Sequence, residues 1–186
     1  MGIRAVKQSQ YALLLDRDGV INRAMVRDGK PYPPISVGEL ELLPGVEAAL
    51  HRSKGLGLAN IVITNQPDVA RGTQSREKVD QMHEWLSQRL PIDDILVCYH
   101  DDRDGCTCRK PLPGLIVQAV SKHGLDVAGS FVVGDRWRDI DAGAAAGCRT
   151  ILIDYRYRER APDHSPEARV LSLHQAVDWI ETRWKS

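Results

Sequence analysis

The stretch LLLDRDGV, residues 13–20, decides the fold of this chain. An apolar run that ends in charge and glycine is typical of a buried strand in a parallel sheet, and open α/β sheets bind ligands at the carboxyl ends of such strands. Asp16 and Asp18 would lie at that end. Two carboxylates that converge on one point are costly unless they share a hard cation such as Mg²⁺. The stretch therefore suits Mg²⁺-assisted phosphoryl transfer, although taken alone it fits an acidic boundary between a strand and a turn better.

Apolar runs rich in β-forming residues alternate along the chain with segments of helical periodicity. The predicted strands are Tyr11–Leu15, Ala59–Thr64, Asp94–Tyr99, Phe131–Val133 and Thr150–Ile153. The predicted helices are Val46–Arg52, Arg76–Leu90, Gly114–His123, Trp137–Ala146 and Leu173–Trp184. Such alternation predicts a three-layer α/β fold, in which a doubly wound parallel sheet carries helices on both faces. A chain of 186 residues is expected to form a single domain, residues 1–186.

Two segments fall outside this alternation. Arg23–Ser36 has prolines at positions 31, 33 and 34, and is interpreted as a rigid irregular loop beside the aspartate pair. Tyr155–Arg169 is polar and rich in arginine, and is interpreted as a solvated connection. The first segment is therefore the one expected to border a substrate.

The charge and hydropathy of the chain limit its partners. The 25 lysines and arginines balance the 25 aspartates and glutamates, so no global field favours nucleic acid or an anionic membrane. Residues 1–10 contain no apolar run of the signal-peptide type, and no segment approaches transmembrane length. We expect a soluble, cytoplasmic protein without nucleic acid or membrane partners, and a monomer.

Three further strand ends carry side chains suited to a phosphate site. Thr64 ends the second strand, where its hydroxyl and backbone amide can donate to a phosphate oxygen. Lys110 precedes a helix, where its charge could offset both a phosphate and a nucleophile. Asp135 ends the fourth strand and could complete the Mg²⁺ site, with Asp139 supporting the ligands without binding the ion itself. Alternatively, Asp135 could only cap the next helix. Each signal is weak alone, but their shared position at strand ends makes the set strong.

A short polar segment concentrates potential ligands of a soft metal. Cys98 and His100 precede Cys106 and Cys108, which together supply three thiolates and one imidazole. Three of the four cysteines of a chain expected in a reducing compartment lie in this segment, which favours a metal over disulfides. A closed set of four such ligands predicts structural Zn²⁺. Zinc would order the neighbouring loop of Lys110 without taking part in the chemistry.

The order of these motifs resembles the haloacid dehalogenase superfamily of phosphohydrolases. The resemblance implies that Asp16 is a nucleophile that forms an aspartyl-phosphate. Asp18 would be the acid that protonates the leaving group and then the base that activates water. The resemblance further implies that Asp16, Asp135 and the backbone carbonyl of Asp18 hold Mg²⁺, while Thr64 and Lys110 bind the phosphoryl group. Catalysis would combine a covalent intermediate with charge neutralisation by the cation.

Longer motifs narrow the resemblance to one branch. Asp-Arg-Asp-Gly, Thr-Asn-Gln, Cys-x-His, Cys-x-Cys-Arg-Lys-Pro and Gly-Asp-Arg-x-x-Asp look like the D-glycero-D-manno-heptose 1,7-bisphosphate phosphatase family, with histidinol-phosphate phosphatases as close relatives that share the zinc loop. This likeness implies a small sugar-phosphate substrate, since neither Gly19–Leu43 nor Asn65–Arg109 has room for a large cap domain. It also implies four residues that contact the substrate: Asn65, Arg71, Arg109 and Arg136.

The expected reaction is removal of the C7 phosphate from the heptose bisphosphate. Pro67-Asp68 and the stretch 29–34 depart from the family pattern where a substrate would be recognised, so histidinol phosphate or another small phosphomonoester is the alternative. A zinc-stabilised sugar-phosphate binding protein without turnover is disfavoured, because a binder has no need of two carboxylates. A polynucleotide 3′-phosphatase is disfavoured because the chain has no evident basic stripe.

Overall fold

One parallel sheet forms the centre of the protein. The computed structural model describes residues 10–184, so the prediction about a signal sequence in residues 1–10 lies almost entirely outside it. The strands are β1 (Tyr11–Leu15), β2 (Met25–Arg27), β3 (Lys30–Tyr32), β4 (Leu58–Asn65), β5 (Asp94–Cys98), β6 (Phe131–Gly134), β7 (Arg149–Ile153) and β8 (Ala168–Val170). The helices are α1 (Val46–Gly55), α2 (Arg76–Ser87), α3 (Gly114–His123), α4 (Trp137–Ala146) and α5 (Leu173–Trp184). All strands except β2 and β3 join one parallel sheet, in the order β5-β4-β1-β6-β7-β8.

Helices cover both faces of this sheet. On one face α1, α2 and α5 share a core with Leu13 and Leu15 of β1, and on the other α3 and α4 share a core with Ala12 and Leu14. Successive side chains of a strand point to opposite faces, so β1 is buried on both sides. The predicted doubly wound α/β fold is confirmed. None of the helices between residues 10 and 184 combines the length and apolar character needed to cross a bilayer.

The predicted strands and helices are all present, with shifts at their ends. Helix α2 begins where the Ser75 hydroxyl accepts a hydrogen bond of 3.3 Å from the N–H of Lys78, as expected of a capping residue. It ends at Ser87 rather than at the predicted Leu90. Leu90 is buried although it lies beyond the helix, which explains why apolar periodicity placed the helix end too late.

The prediction of an irregular loop over Arg23–Ser36 is wrong. Strands β2 and β3 form an antiparallel hairpin within this segment. Its turn is Asp28-Gly29, whose φ angles of 51° and 75° lie in the left-handed region that a two-residue hairpin turn requires. The hairpin brings Lys30 and Tyr32 to the same cavity as Asp16, at the carboxyl end of β1.

The interpretation of Tyr155–Arg169 as a solvated connection is right in that the segment joins β7 to β8 and is mostly exposed, but it omits how the segment is held. Its end begins β8, which extends the sheet. Asp141 of α4 is buried, pairs with Arg160 at 2.9 Å and accepts hydrogen bonds from the backbone N–H groups of Asp163 and His164 at 2.8 and 3.1 Å. These contacts hold the segment, called the late segment below, against α4.

Candidate active site

The carboxyl ends of β1 and β6 bring three aspartates together. Asp16 follows β1, Asp135 follows β6, and Asp139 lies in the first turn of α4. One carboxylate oxygen from each lies within 4.8 Å of the others, and all three residues are buried. Gly134 permits this approach, because a Cβ atom at that position would collide with the side chain of Asp139. The strand ends therefore meet in one carboxylate cluster, made of Asp16, Asp135 and Asp139.

Lys110 supplies a positive charge to this carboxylate cluster. Its Nζ lies 3.0 Å from Oδ1 of Asp16 and 2.5 Å from Oδ1 of Asp139, and it donates a hydrogen bond of 2.8 Å to the carbonyl of Ile63. Burial alone would lower the pKa of Lys110, but the carboxylates of Asp139 and Asp16 outweigh burial and raise that pKa. The lysine therefore stays protonated and faces three carboxylates.

The cluster carries more negative charge than Lys110 balances. Burial raises the pKa of Asp16 to about 6 although Lys110 lowers it, and burial with the nearby Asp16 charge raises the pKa of Asp135 well above its usual range. Neither oxygen of Asp135 forms a hydrogen bond of standard geometry with a residue between 10 and 184, although the nearby hydroxyl of Tyr157 lowers the pKa of Asp135 in part. Buried oxygen donors with an excess of negative charge fit a hard divalent cation such as Mg²⁺.

Asp139 differs from Asp135 because both of its oxygens are occupied. Oδ1 pairs with Lys110, and Oδ2 accepts a hydrogen bond of 3.1 Å from the backbone N–H of Arg136. Asp139 therefore orients Lys110, whereas Asp135 keeps both oxygens available for a cation.

Asp18 lies at the wall of the site with its carboxylate held on both oxygens. Nη2 of Arg17 donates to Oδ1 and Oδ2 at 3.0 and 2.9 Å, Asn22 donates to Oδ1 at 2.9 Å, and Gln66 donates to Oδ2 at 3.0 Å. The Asp18 side chain is 16% exposed and lines the cavity described below. Its carboxylate can therefore reach a substrate from a fixed orientation.

Thr64 and Asn65 end β4 but have different surroundings. Thr64 is buried outside the cavity lining, and its hydroxyl oxygen accepts a hydrogen bond of 3.0 Å from the amide of Gln66. Asn65 lines the cavity and binds the backbone of Lys110 twice, through Nδ2 to the carbonyl and through Oδ1 to the N–H, both at 3.1 Å. Asn65 therefore positions the loop that carries Lys110.

A cavity of about 400 Å³ opens above the carboxylate cluster. It brings together most of the residues that the sequence predicted: Asp16, Asp18, Asn65, Arg71, Arg109, Lys110, Asp135, Arg136 and Asp139. It also contains two stretches that the sequence analysis placed where a substrate would be recognised, represented by Lys30, Pro31, Tyr32, Pro33, Pro67 and Asp68. The sequence analysis missed two further lining residues, Asp102 and Arg138. The Asp-Gly dipeptide at positions 28 and 29 is a hairpin signal that could have indicated where Lys30 lies.

Most cations of the cavity already have carboxylate partners. The paired arginines are Arg71 with Asp68 and Asp101, Arg109 and Arg138 with Asp102, and Arg136 with Glu159. Lys30 is the one cavity cation that forms no ion pair within the described part of the chain. It is therefore available to an anionic group of a substrate.

A second ligand cluster connects β5 to the loop before α3. One ligand atom from each of Cys98, His100, Cys106 and Cys108 lies within 4.8 Å of the others. Tetrahedral Zn²⁺ with Zn–S bonds of about 2.3 Å requires ligand atoms about 3.8 Å apart. The Sγ of Cys106 lies 3.8 and 3.7 Å from those of Cys98 and Cys108, and Nδ1 of His100 lies 3.6 and 3.3 Å from the same two atoms. Cys98 and Cys108 are closer, at 2.7 Å, and the set as a whole fits a closed four-ligand site.

The late segment adds residues to the site that the sequence analysis missed. Glu159 accepts two hydrogen bonds from Arg136, one of them 3.0 Å from Nε. Burial and the carboxylate of Asp135 raise the pKa of Tyr157. No sequence signal linked this segment to the site, because the contacts arise only where Asp141 holds it against α4.

Comparison with known proteins bears on this arrangement. The HAD-hydrolase-like family matches residues 107–173. The D-glycero-β-D-manno-heptose-1,7-bisphosphate 7-phosphatase of Helicobacter pylori is 32% identical over 178 residues, which are 91% of this chain and 97% of the relative. The enzyme of the same name from Escherichia coli K12 is 33% identical over 185 residues, 93% of this chain and 89% of the relative. The chain belongs to this phosphatase family.

A solved structure supports the assignment to the family. The D,D-heptose 1,7-bisphosphate phosphatase of Bordetella bronchiseptica, complexed with magnesium and phosphate, is 29% identical to this chain and superposes with a TM-score of 0.79. The match covers 93% of this chain and 99% of the other. The resemblance found in the sequence is confirmed, and the chain is a phosphatase of the haloacid dehalogenase type.

The burial of Asp16 predicts how the stability of the metal-free protein depends on pH. Its pKa is raised from 3.8 to about 6 in the folded state, so the unfolded chain loses this proton first as pH rises. The free energy of unfolding should therefore fall between about pH 4 and pH 6, by up to about 3 kcal/mol. Urea unfolding of the metal-free protein across this range measures the fall. Asp16→Asn should not show this fall in the free energy of unfolding. If the free energy of unfolding changed with pH equally in the two proteins, the prediction would be contradicted.

Proposed function

We propose that this phosphatase removes the C7 phosphate of D-glycero-D-manno-heptose 1,7-bisphosphate with the help of Mg²⁺. The observation that carries the proposal is the buried set of Asp16, Lys110 and Asp135, in which a carboxylate, a lysine and unpartnered oxygens converge beneath a cavity. The substrate follows from relatives that bear this activity in their names and match nearly the whole chain. A small bisphosphorylated sugar suits the dimensions of the cavity.

The proposed reaction has two steps. A carboxylate oxygen of Asp16 attacks phosphorus, the bond from phosphorus to the sugar oxygen breaks, and Asp18 donates a proton to that leaving oxygen. Asp18 then accepts a proton from water, whose oxygen attacks phosphorus and displaces Asp16, so that inorganic phosphate leaves. Lys110, which lines the cavity, would bind the phosphoryl oxygens. The role predicted for Thr64 in binding these oxygens is not supported, because Thr64 is buried outside the cavity lining. An acid–base group typically contributes roughly 10²–10⁴ in rate, so Asp18 should matter nearly as much as Asp16.

The proposed Mg²⁺ ligands are Asp16, Asp135 and the backbone carbonyl of Asp18. Asp135 is favoured because its oxygens have no partner among the described residues, and Asp139 is not because Lys110 and a backbone N–H already occupy its oxygens. When bound, Mg²⁺ would neutralise the charge that develops on the phosphoryl oxygens.

The proposed second metal is a structural Zn²⁺ on Cys98, His100, Cys106 and Cys108. The support is the convergence of the four ligand atoms within 4.8 Å of one another, since three thiolates and one imidazole leave no open position for water. The loop that this ion would hold also carries Asp102, which binds Arg109 at 2.8 Å. Zinc would therefore fix the cavity wall rather than perform chemistry.

A specificity role is proposed for Lys30. The bisphosphate carries a second phosphate that is not cleaved, and Lys30 is the cavity cation without an internal ion pair among residues 10–184. Its position on the β2–β3 hairpin is separate from the carboxylate cluster, as a site for the distal phosphate requires.

The substrate assignment predicts a ranking among phosphate esters. Phosphate release with Mg²⁺ should be most efficient for one anomer of the heptose bisphosphate, compared with the other anomer, histidinol phosphate and 4-nitrophenyl phosphate. Asp16→Asn should lower turnover by at least about 10³-fold without unfolding the protein, and the exposed Asp163→Asn should be unaffected. If histidinol phosphate is the preferred substrate, the assignment of the heptose bisphosphate as substrate is wrong, but the proposed mechanism is unaffected. A folded, active Asp16→Asn would contradict the mechanism itself.

Zinc binding predicts a metal content and a loss on substitution. Elemental analysis should find about one zinc per chain, and Cys106→Ser should lose it because one of four ligands is gone. If the free energy of unfolding falls by roughly 3 kcal/mol when zinc is lost, the Tm should fall by about 6–12 °C. Cys148→Ser is the matched control, because Cys148 is a buried cysteine outside the cluster. The zinc assignment would be overturned if the wild-type protein contained no zinc, or if Cys106→Ser and Cys148→Ser lost zinc and stability equally.

The role of Lys30 predicts a selective effect on the bisphosphate. Lys30→Gln should raise KM for the heptose bisphosphate about tenfold, because one charge-assisted contact is lost, and leave 4-nitrophenyl phosphate within about twofold. Arg27→Gln is the control, since Arg27 pairs with Lys30 across the hairpin but does not line the cavity. An equal KM increase for both esters would show that Lys30 does not read the distal phosphate.

A further inference from the structure

A buried chain of polar contacts, called the relay below, connects Asp18 through Arg17 to His83 of helix α2. The proposed reaction assigns no role to Arg17 or His83. The guanidinium of Arg17 donates to Oδ1 of Asp18 from both Nε and Nη2, at 3.2 and 3.0 Å, and to Oδ2 from Nη2 at 2.9 Å. The remaining nitrogen, Nη1, lies 3.0 Å from Nε2 of His83. Arg17 is completely buried, and His83 is buried in α2, 66 residues away in sequence.

The chemistry of this contact fixes the state of His83. A guanidinium has donors and no acceptor, so Nε2 of His83 must accept and the ring must be neutral, with its proton on Nδ1. Burial and the Arg17 charge lower the pKa of His83 to about 4, consistent with a neutral ring. A neutral histidine placed as an acceptor satisfies the one Arg17 nitrogen that Asp18 does not use.

Two contacts define the orientation of Asp18 independently of its protonation. A carboxyl group that gives and then takes a proton must keep its orientation in both forms. Oδ1 accepts three hydrogen bonds, two from nitrogens of Arg17 and one from Asn22, whereas Oδ2 accepts two, from Nη2 of Arg17 and from Gln66. Oδ1 is therefore the anchored oxygen, and Oδ2 is the one able to exchange a partner for a leaving group or water.

From this geometry we infer that Arg17 and His83 are positioning residues for proton transfer by Asp18: His83 orients Arg17, and Arg17 orients Asp18. This inference rests on the proposed function, in which Asp18 is the acid and base. Beyond the proposed function, we expect the hydrogen-bond acceptor at position 83 to affect how efficiently Asp18 protonates the leaving oxygen, although His83 itself does not contact the substrate. A displacement of about 1 Å in a catalytic group can cost roughly 10²-fold in rate.

Dependence on the leaving group separates positioning of Asp18 from a general structural role. The value of kcat/KM reports the steps up to departure of the leaving group, and a sugar oxygen needs a proton there, whereas 4-nitrophenolate leaves without one. His83→Phe removes the acceptor and should lower kcat/KM for the heptose bisphosphate by about 10–100-fold, with 4-nitrophenyl phosphate within about threefold. Arg17→Lys should show the same pattern, since lysine lacks the two-pronged geometry.

Two further variants keep the test decisive. His83→Gln retains an acceptor oxygen and should restore most of the activity on the bisphosphate. Met82→Leu alters the buried face of α2 without touching the relay and should behave as wild type on both esters. Thermal unfolding checks that each variant is folded; if His83→Phe is not, the comparison of Arg17→Lys with Met82→Leu decides.

Equal losses on both esters, or none on the bisphosphate, would overturn the inference. Such a result with an active wild type and an inactive Asp16→Asn would leave the proposed function intact. An inactive wild type, or an active Asp16→Asn, would instead remove the proposed function.

Discussion

Three buried carboxylates face a single lysine at the carboxyl end of the sheet, and this excess of negative charge is the constraint on which the site depends. Buried carboxylates are unfavourable unless their charge is balanced, which is why burial raises the pKa values of Asp16 and Asp135. Lys110 offsets one charge, and a divalent cation would offset the other two. The protein can hold this cluster only because β1 and β6 are neighbours in the sheet and Gly134 leaves room for Asp139.

The surroundings of the cluster organise positive charge in a similar way. The cavity arginines are held by carboxylates from distant segments: Asp102 of the cysteine loop binds Arg109 and Arg138, and Glu159 of the late segment binds Arg136. Such pairing fixes long side chains before a substrate arrives, and fixed groups lose less entropy on binding. The same pairing reduces the net positive charge of the cavity. Lys30, which has no ion pair among residues 10–184, is then available to bind an anionic group.

The sequence predicted the parts of the fold that depend on local pattern. Apolar strands buried on both faces, the helix start at Arg76, and polar residues at strand ends all carry signals within a few residues. The sheet and the convergence of Asp16 with Asp135 could therefore be anticipated. The family resemblance added chemical roles that spacing alone does not provide. The hairpin of Lys30 was also signalled locally, by Asp28-Gly29, but prolines in the same segment suggested an irregular loop.

The remaining features could not be predicted because they depend on contacts between residues far apart in sequence. Asp141 holds the late segment against α4, and His83 of α2 reaches Arg17 just after β1; the spacing of residues signals neither contact. The sequence analysis gave Asp135 and Asp139 different roles, but the reason for the difference is visible only in the structure. Both oxygens of Asp139 are occupied, whereas those of Asp135 have no hydrogen-bond partner among residues 10–184.

The most direct test of the central claim is a calorimetric titration of the metal-free protein with MgCl₂ near pH 7. The account predicts one Mg²⁺ per chain, binding weakened at least about tenfold in Asp135→Asn because a ligand is lost, and unchanged binding in the exposed Asp163→Asn. Absence of Mg²⁺ binding to the wild type, or equal affinity in Asp135→Asn, would contradict the claim that the buried carboxylate cluster is built for a divalent cation.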